Sequence, residues 1–261
     1  MIKLSYFDKI NPYGIYIKNT GNIHSPFLKD IARIGYYQYQ YYITLLLYTP
    51  EKYCEYISKD LHVDNPWNKL TNDEKNSISM FDILTKSDDL RIELINALSL
   101  FICGTLEWDE KHSSIVIDKI KEDDGKETVG GFINKKTYST ISNVCLQFVD
   151  VSIDDMPEEQ PKFATEKDRL FYEHFQKKKA EHEKTKKSDP RFELPNMISL
   201  LCTFHNSVNY TNVFEMTIGQ LKDTFYQLMK MRQLNITDTN YAVWGGKKYD
   251  PSSWMSCVDS K

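Results

Sequence analysis

The chain reads as a mainly α protein with a small antiparallel β-meander, an α+β fold. Three observations carry that reading. Glycine and proline are scarce, 10 and 9 in 261 residues, whereas a sheet-rich fold needs many turns. Hydroxyl or carboxamide caps, several followed by proline or by an acidic residue three positions on, recur along the chain. One Asp-Gly pair, Asp124-Gly125, sits between two strand-like runs, Ile115 to Lys121 and Glu127 to Ile133, the usual signature of a hairpin.

Taken in order, Tyr13 to Ile17 reads as a short strand or extended lead. Ser25-Pro26 starts a helix that Gly35 ends. Tyr36 to Tyr48 reads as a second helix, although its aromatic content also suits a strand, and Thr49-Pro50-Glu51 opens a third helix to about Ile57. Asn65-Pro66-Trp67-Asn68 is a loop. The capping box Thr71-x-x-Glu74 precedes Ile78, Phe81 and Leu84, which repeat every third residue in a short helix. Ser87-Asp88-Asp89 caps a helix whose crowded apolar positions, Leu90, Ile92, Leu94, Ile95, Leu98 and Ile102, imply burial on most sides. Leu106 to Trp108 and Ile115 to Ile120 then read as strands of the meander. Asn134 caps a helix through Leu146 that sets Ile141, Val144, Cys145 and Phe148 on one face.

Val151 to Pro161 is an acidic loop. Thr165 to Lys187 reads as a helix in which more than half the residues are charged, with Glu173–Lys177 and Glu183–Lys187 at the favourable i, i+4 spacing. Its apolar residues, Leu170, Phe171 and Phe175, lie in the first half. Met197 to Phe204 is apolar enough for a buried helix. Thr217-x-x-Gln220 caps an amphipathic helix to Arg232 with Ile218, Leu221, Phe225, Leu228 and Met229 on one face. Tyr241 to Trp254 reads as a turn region. The organisation expected is a helical domain with an inserted hairpin over 1–150, an acidic loop and charged helix over 151–190, and a C-terminal helical segment over 191–261.

Composition bounds the function. Net charge is −4, without the basic excess of a nucleic-acid binder. Five cysteines, Cys54, Cys103, Cys145, Cys202 and Cys257, are odd in number and far apart, which speaks against a disulfide framework and for a reducing compartment. The first residues lack the apolar core of a signal peptide, and no apolar run approaches the ~20 residues of a membrane span. Aromatic residues reach 13%, with 17 tyrosines, a surplus that suits contact surfaces as well as a core.

Candidate chemistry is thin. Cys202 and His205 lie three apart, but a nucleophile pair is defined by geometry rather than spacing. His174 and His182 are eight apart, unlike the i, i+4 spacing of helical metal ligands. Asp154, Asp155, Glu158 and Glu159 lack EF-hand order. Gly130-Gly131 and Gly245-Gly246 belong to no phosphate-binding loop. We therefore expect no catalytic residue, no cofactor and no metal. The candidate interaction residues are Tyr36, Tyr39, Tyr42, Phe214, Leu221, Phe225, Trp244 and Trp254.

Two segments resemble a family found in phages and prophages of Firmicutes. The first is Tyr13-Gly14-Ile15, His24-Ser25-Pro26, Ile31, Ile34-Gly35, Tyr39 and Tyr42. The second is Leu200, His205, Asn209, Asn212-Val213-Phe214 and Thr217-Ile218-Gly219-Gln220-Leu221 with Phe225, closing with Gly245, Trp254-Met255 and Asp259. The Lys/Glu-rich helix ahead of the second segment also fits. The resemblance covers about half the chain and leaves 59–160 unmatched. It is to tail-morphogenesis proteins of long-tailed phages, and within them to tail assembly chaperones. It implies a non-enzymatic protein of the host cytoplasm that binds the tape-measure and tail-tube proteins and forms homo-oligomers, while the composition points to neither nucleic acid nor membrane as a partner. The alternatives are a virion structural component, such as a connector or baseplate part, and an enzyme built around Cys202 and His205.

Overall fold

The computed structural model describes residues 2–121, 127–151, 192–245 and the single positions 250, 252 and 255. The Asp124-Gly125 turn, the acidic loop, the charged helix of 165–187 and Trp254 lie outside these. The described fold is α+β, mainly helical with two small antiparallel sheets. The chain divides into two compact units. The first comprises 1–153 with 214–220, the second 154–213 with 221–261.

In the first unit, α1 (Tyr6–Ile10) is held by a full capping box between Ser5 and Asp8, a helix absent from the sequence reading. Strands β1 (Ile15–Ile17) and β2 (Gly21–Ile23) pair in register Ile15↔Ile23. Gly14 admits no side chain, because a Cβ there would lie 2.0 Å from the Ile23 carbonyl oxygen and φ is +70°. Helices α2 (Leu28–Ile34) and α3 (Tyr36–Leu47) meet at Gly35, which has φ 90° and ψ 148°. Thr49 caps α4 (Pro50–Leu61), four residues longer than its apolar pattern suggests. Asn65 organises a single 3-10 turn, Pro66–Lys69, where a loop is expected.

The capping box at Thr71 is present, yet it starts α5 (Asn72–Ser77) alone. The chain leaves helical geometry at Ile78, and Ser79 with Asp82 forms a second box that starts α6 (Met80–Thr85). Where one short helix is expected there are two. Ser87 caps α7 (Asp88–Ser99), which buries Leu94, Ala97 and Leu98 but leaves Ile92 exposed. It is amphipathic rather than buried all round.

Strands β3 (Leu106–Asp109), β4 (Ser114–Lys121) and β5 (Glu127–Ile133) form the expected meander, in order β3-β4-β5. Ile115, Val116, Ile117 and Ile133 are buried. Asn134 receives the N–H groups of Lys136 and Thr137 and starts α8 (Lys135–Phe148). Among the described helices it buries the most residues. Tyr138, Ile141, Val144, Cys145, Leu146 and Phe148 are all buried. Ser142 Oγ donates to the Leu46 carbonyl of α3 at 2.8 Å, and Lys135 reaches Asp82 of α6 at 2.5 Å. Fully burying each large aliphatic or aromatic side chain contributes about 1.5–3 kcal/mol, so α8 anchors the packing.

In the second unit, α9 (Leu194–Phe204) buries Met197 and Leu201 while Phe204 is half-exposed. The helix is thus amphipathic, not wholly buried as its apolar content suggests. Phe192 meets Phe225 edge-on at 6.3 Å. The last helix, α10, runs Ile218–Trp244, about 40 Å at 1.5 Å per residue. It continues through Tyr241–Trp244, where a turn is expected, and ends at Gly245 with φ +70°.

Candidate interaction surfaces

Short stretches of the two segments that carry the phage-family resemblance, 25–28 and 216–219, nearly two hundred positions apart, come together in the first unit. Phe27 and Thr217 form an isolated antiparallel bridge. The Leu28 N–H donates to the Met216 carbonyl, and the Ile218 N–H donates to the Pro26 carbonyl, each at 2.9 Å. The Gly219 N–H donates to Ser25 Oγ at 3.1 Å. Ser25 therefore does not cap α2, whose N-cap is Phe27 without a side-chain bond. It caps α10 from across the fold, beside the local capping box of Thr217 and Gln220. A Cβ on Gly219 would sit 2.1 Å from the Lys9 carbonyl oxygen, so only glycine lets α1 approach. Ser25, Thr217, Ile218 and His24 are buried. These motif residues build a junction rather than a surface.

The predicted contact residues divide in the same way. Tyr39, Tyr42, Leu221 and Phe225 are buried and serve the interiors of their units. Burial pushes the Tyr39 phenol well up, so it stays neutral at any physiological pH. Tyr36 and Phe214 are half-buried, the former stacked on Tyr39 at 6.4 Å. Trp244 is the exposed one, at 83%. Trp254 lies outside the described residues.

Exposed aromatic surface gathers elsewhere. Tyr48 of the α3–α4 connection contacts Tyr53 and Tyr56 of α4, each at 5.7 Å. Tyr41, Tyr37 and Tyr56 are exposed, and burial raises the phenols of Tyr41, Tyr48 and Tyr53. The i, i+3 spacing of Tyr53 and Tyr56 is the signal that could have found this cluster. Beside it, an open groove of about 420 Å³ is lined by Glu51, Glu55, Ser58, Lys59, Val63, Asn65 and Asn68. Lys59 there pairs with Glu55 at 2.6 Å.

The third surface is the distal half of α10. Met229, Met231, Ile236, Tyr241, Val243 and Trp244 are all exposed there. Among the described residues no group of three or more His, Cys, Asp or Glu could hold a metal ion, and no helix is long and apolar enough to cross a membrane. His205 Nδ1 accepts the Ser207 N–H at 3.2 Å, and burial raises the Cys202 thiol, the opposite of what activates a nucleophile.

Among the described residues these features define a mainly helical α+β protein with exposed apolar residues on a tyrosine cluster and along one long helix. Residues 183–259 match the family model described as the YomV second domain. That family is of the Bacillus phage type, consistent with a Firmicutes prophage protein, and the matched span holds α9 and all of α10. No curated protein and no solved structure matches the chain.

Proposed function

We propose that the protein is a non-enzymatic phage tail assembly factor, similar in role to a tail assembly chaperone. It works in the host cytoplasm and binds the tape-measure and tail-tube proteins through apolar helical surfaces. The observation that carries this reading is the exposed apolar half of α10, which lies inside the span matched to a phage-type family. A helix laid against a groove or another helix is a common mode of peptide recognition and is read through such i, i+3, i+4 and i+7 anchors. A tape-measure protein, long and helical, offers a partner of that kind. The protein acts on its partners by binding, with no cofactor.

Co-expression with the tape-measure and tail-tube proteins of the same phage tests it. The expected result is co-purification with the tape-measure protein, lost when Trp244 and Val243 become polar, and absence of the protein from purified particles by mass spectrometry. A chain that binds neither tail protein ends the proposal. Presence in stoichiometric amounts in the particle favours a connector or baseplate component instead.

A further inference from the structure

We propose that the tyrosine cluster at the α3–α4 connection, together with Glu93 of α7, is a receptor site for an arginine side chain carried on a segment of a partner protein. Its parts come from three helices of the first unit. Tyr41 of α3 and Tyr56 of α4 are 43% and 52% exposed. Tyr48 stands edge-on to Tyr53, at 77°, and tilted to Tyr56, at 38°, so the three rings form a corner rather than a flat stack. Gln38, one turn before Tyr41 on α3, donates through Nε2 to Glu93 Oε2 at 3.0 Å. That bond holds a half-buried carboxylate beside the tyrosines. Burial raises the Tyr41 phenol, and the Glu93 charge adds to the rise, as do Tyr53 and Tyr56. Tyr41 therefore neighbours both the carboxylate and the rings of α4.

Charge says what the occupant is. Elsewhere the chain completes the combination of aromatic face, carboxylate and cation from its own residues. The Arg91 guanidinium lies over Trp108 at 4.9 Å while it pairs with Asp88 and Glu110 at 2.5 and 3.3 Å. Lys29 lies over Phe27 at 5.2 Å and pairs with Glu215 at 2.7 Å. At the tyrosine cluster the rings and the carboxylate are present, but among the described residues no Lys or Arg pairs with Glu93 or lies over these rings. Helix α3 carries no charged residue, and α4 carries Glu51, Glu55 and Asp60 against Lys52 and Lys59, so the balance around the rings is negative. A half-buried carboxylate is screened less than an exposed one and gains more from a cation. Arginine suits the place better than lysine. Its planar group stacks on a ring face and gives two parallel N–H bonds to one carboxylate. The site does not rest on the apolar half of α10. A chain that binds the tape-measure protein but no arginine at the cluster would overturn this inference and leave the tail-assembly role standing.

Two pentapeptides of equal charge test it, Gly-Arg-Gly-Arg-Gly and Gly-Lys-Gly-Lys-Gly, each blocked at both ends and titrated into the full chain while NMR follows the tyrosine rings. The arginine peptide is expected to shift the rings of Tyr41 and Tyr56, with a dissociation constant of about millimolar. It is expected to bind at least about threefold tighter than the lysine peptide. Glu93→Gln and Tyr56→Leu each weaken it by about threefold to tenfold. Tyr56→Phe keeps it, because the ring face and not the hydroxyl makes the contact. Glu107→Gln, exposed on β3, removes one acidic charge elsewhere and leaves binding unchanged. Circular dichroism verifies that each variant keeps the fold. No shift of these rings, equal binding of the two peptides, or a loss in Glu107→Gln as large as that in Glu93→Gln overturns the proposal.

Discussion

Ser25 and Gly219 show how much a single pair of small residues carries. The hydroxyl supplies the acceptor for a buried helix-start N–H, and the missing side chain lets the Lys9 carbonyl in. Ser25→Ala leaves that N–H without its partner and is expected to cost about 1–2 kcal/mol. Gly219→Ala forces the α1 backbone away and is expected to cost about 3 kcal/mol or more. Urea denaturation midpoints of the two variants check both the sign and the order. Ser25-Pro26 and Thr217-x-x-Gln220 are legible in the sequence as helix starts, and the latter is one. That the hydroxyl of the first serves the helix of the second was not legible, because a local pattern does not specify which distant N–H a side chain meets.

At the scale of elements, caps were the dependable signal and helix length was not. Thr49, Thr71, Ser87 and Asn134 all start helices as their residue types suggest. The break at Ile78 was missed because Ser79-x-x-Asp82 lies within what reads as one apolar period. The reach of α10 to Trp244 was missed because its polar residues, Asn235, Thr237, Asp238, Thr239 and Asn240, are weak helix formers. Contact residues meet the same limit. Tyrosine-rich spacing marks α3, but it does not say that Tyr39 and Tyr42 face inward while Tyr37 and Tyr41 face out.

Helix α8 is tied to α6 through Asp82, and this pair sets a pH dependence. Burial acts to raise the Asp82 carboxyl, and the hydrogen bonds from Lys135 and Ser79 outweigh it, so the group sits below its ordinary value. A depressed carboxylate contributes stability that is present above the unfolded value of about 3.9 and is lost as pH falls through the lower folded value. Both partners are about half-exposed, so the contribution stays below about 1 kcal/mol. Asp82→Asn is expected to flatten the loss of stability on going from pH 5 to pH 3, as read by thermal unfolding at each pH.

For the whole molecule, the division into units does not follow the order of the chain. Residues 214–220 belong with 1–153 although about 60 residues intervene. They supply the Met216 carbonyl that receives the Leu28 N–H and the Ile218 N–H that reaches Pro26. A chain ending at Val213 is expected to keep its helices while the Leu28 amide exchanges with solvent at least about tenfold faster, given that local opening follows the loss of such bonds. Hydrogen-exchange mass spectrometry over the 14–35 region checks it. An unchanged rate would mean that the first unit is complete without the later segment.

The same arrangement has a consequence in time. On the ribosome, the segment that closes the first unit emerges after the residues it must join. At about 5–20 residues per second it follows Ile153 by roughly 3–12 s. Over that interval Pro26 and Leu28 hold their places with their eventual partners still unsynthesised. A nascent chain stalled before residue 214 is, in this sense, a domain waiting for its last seven residues.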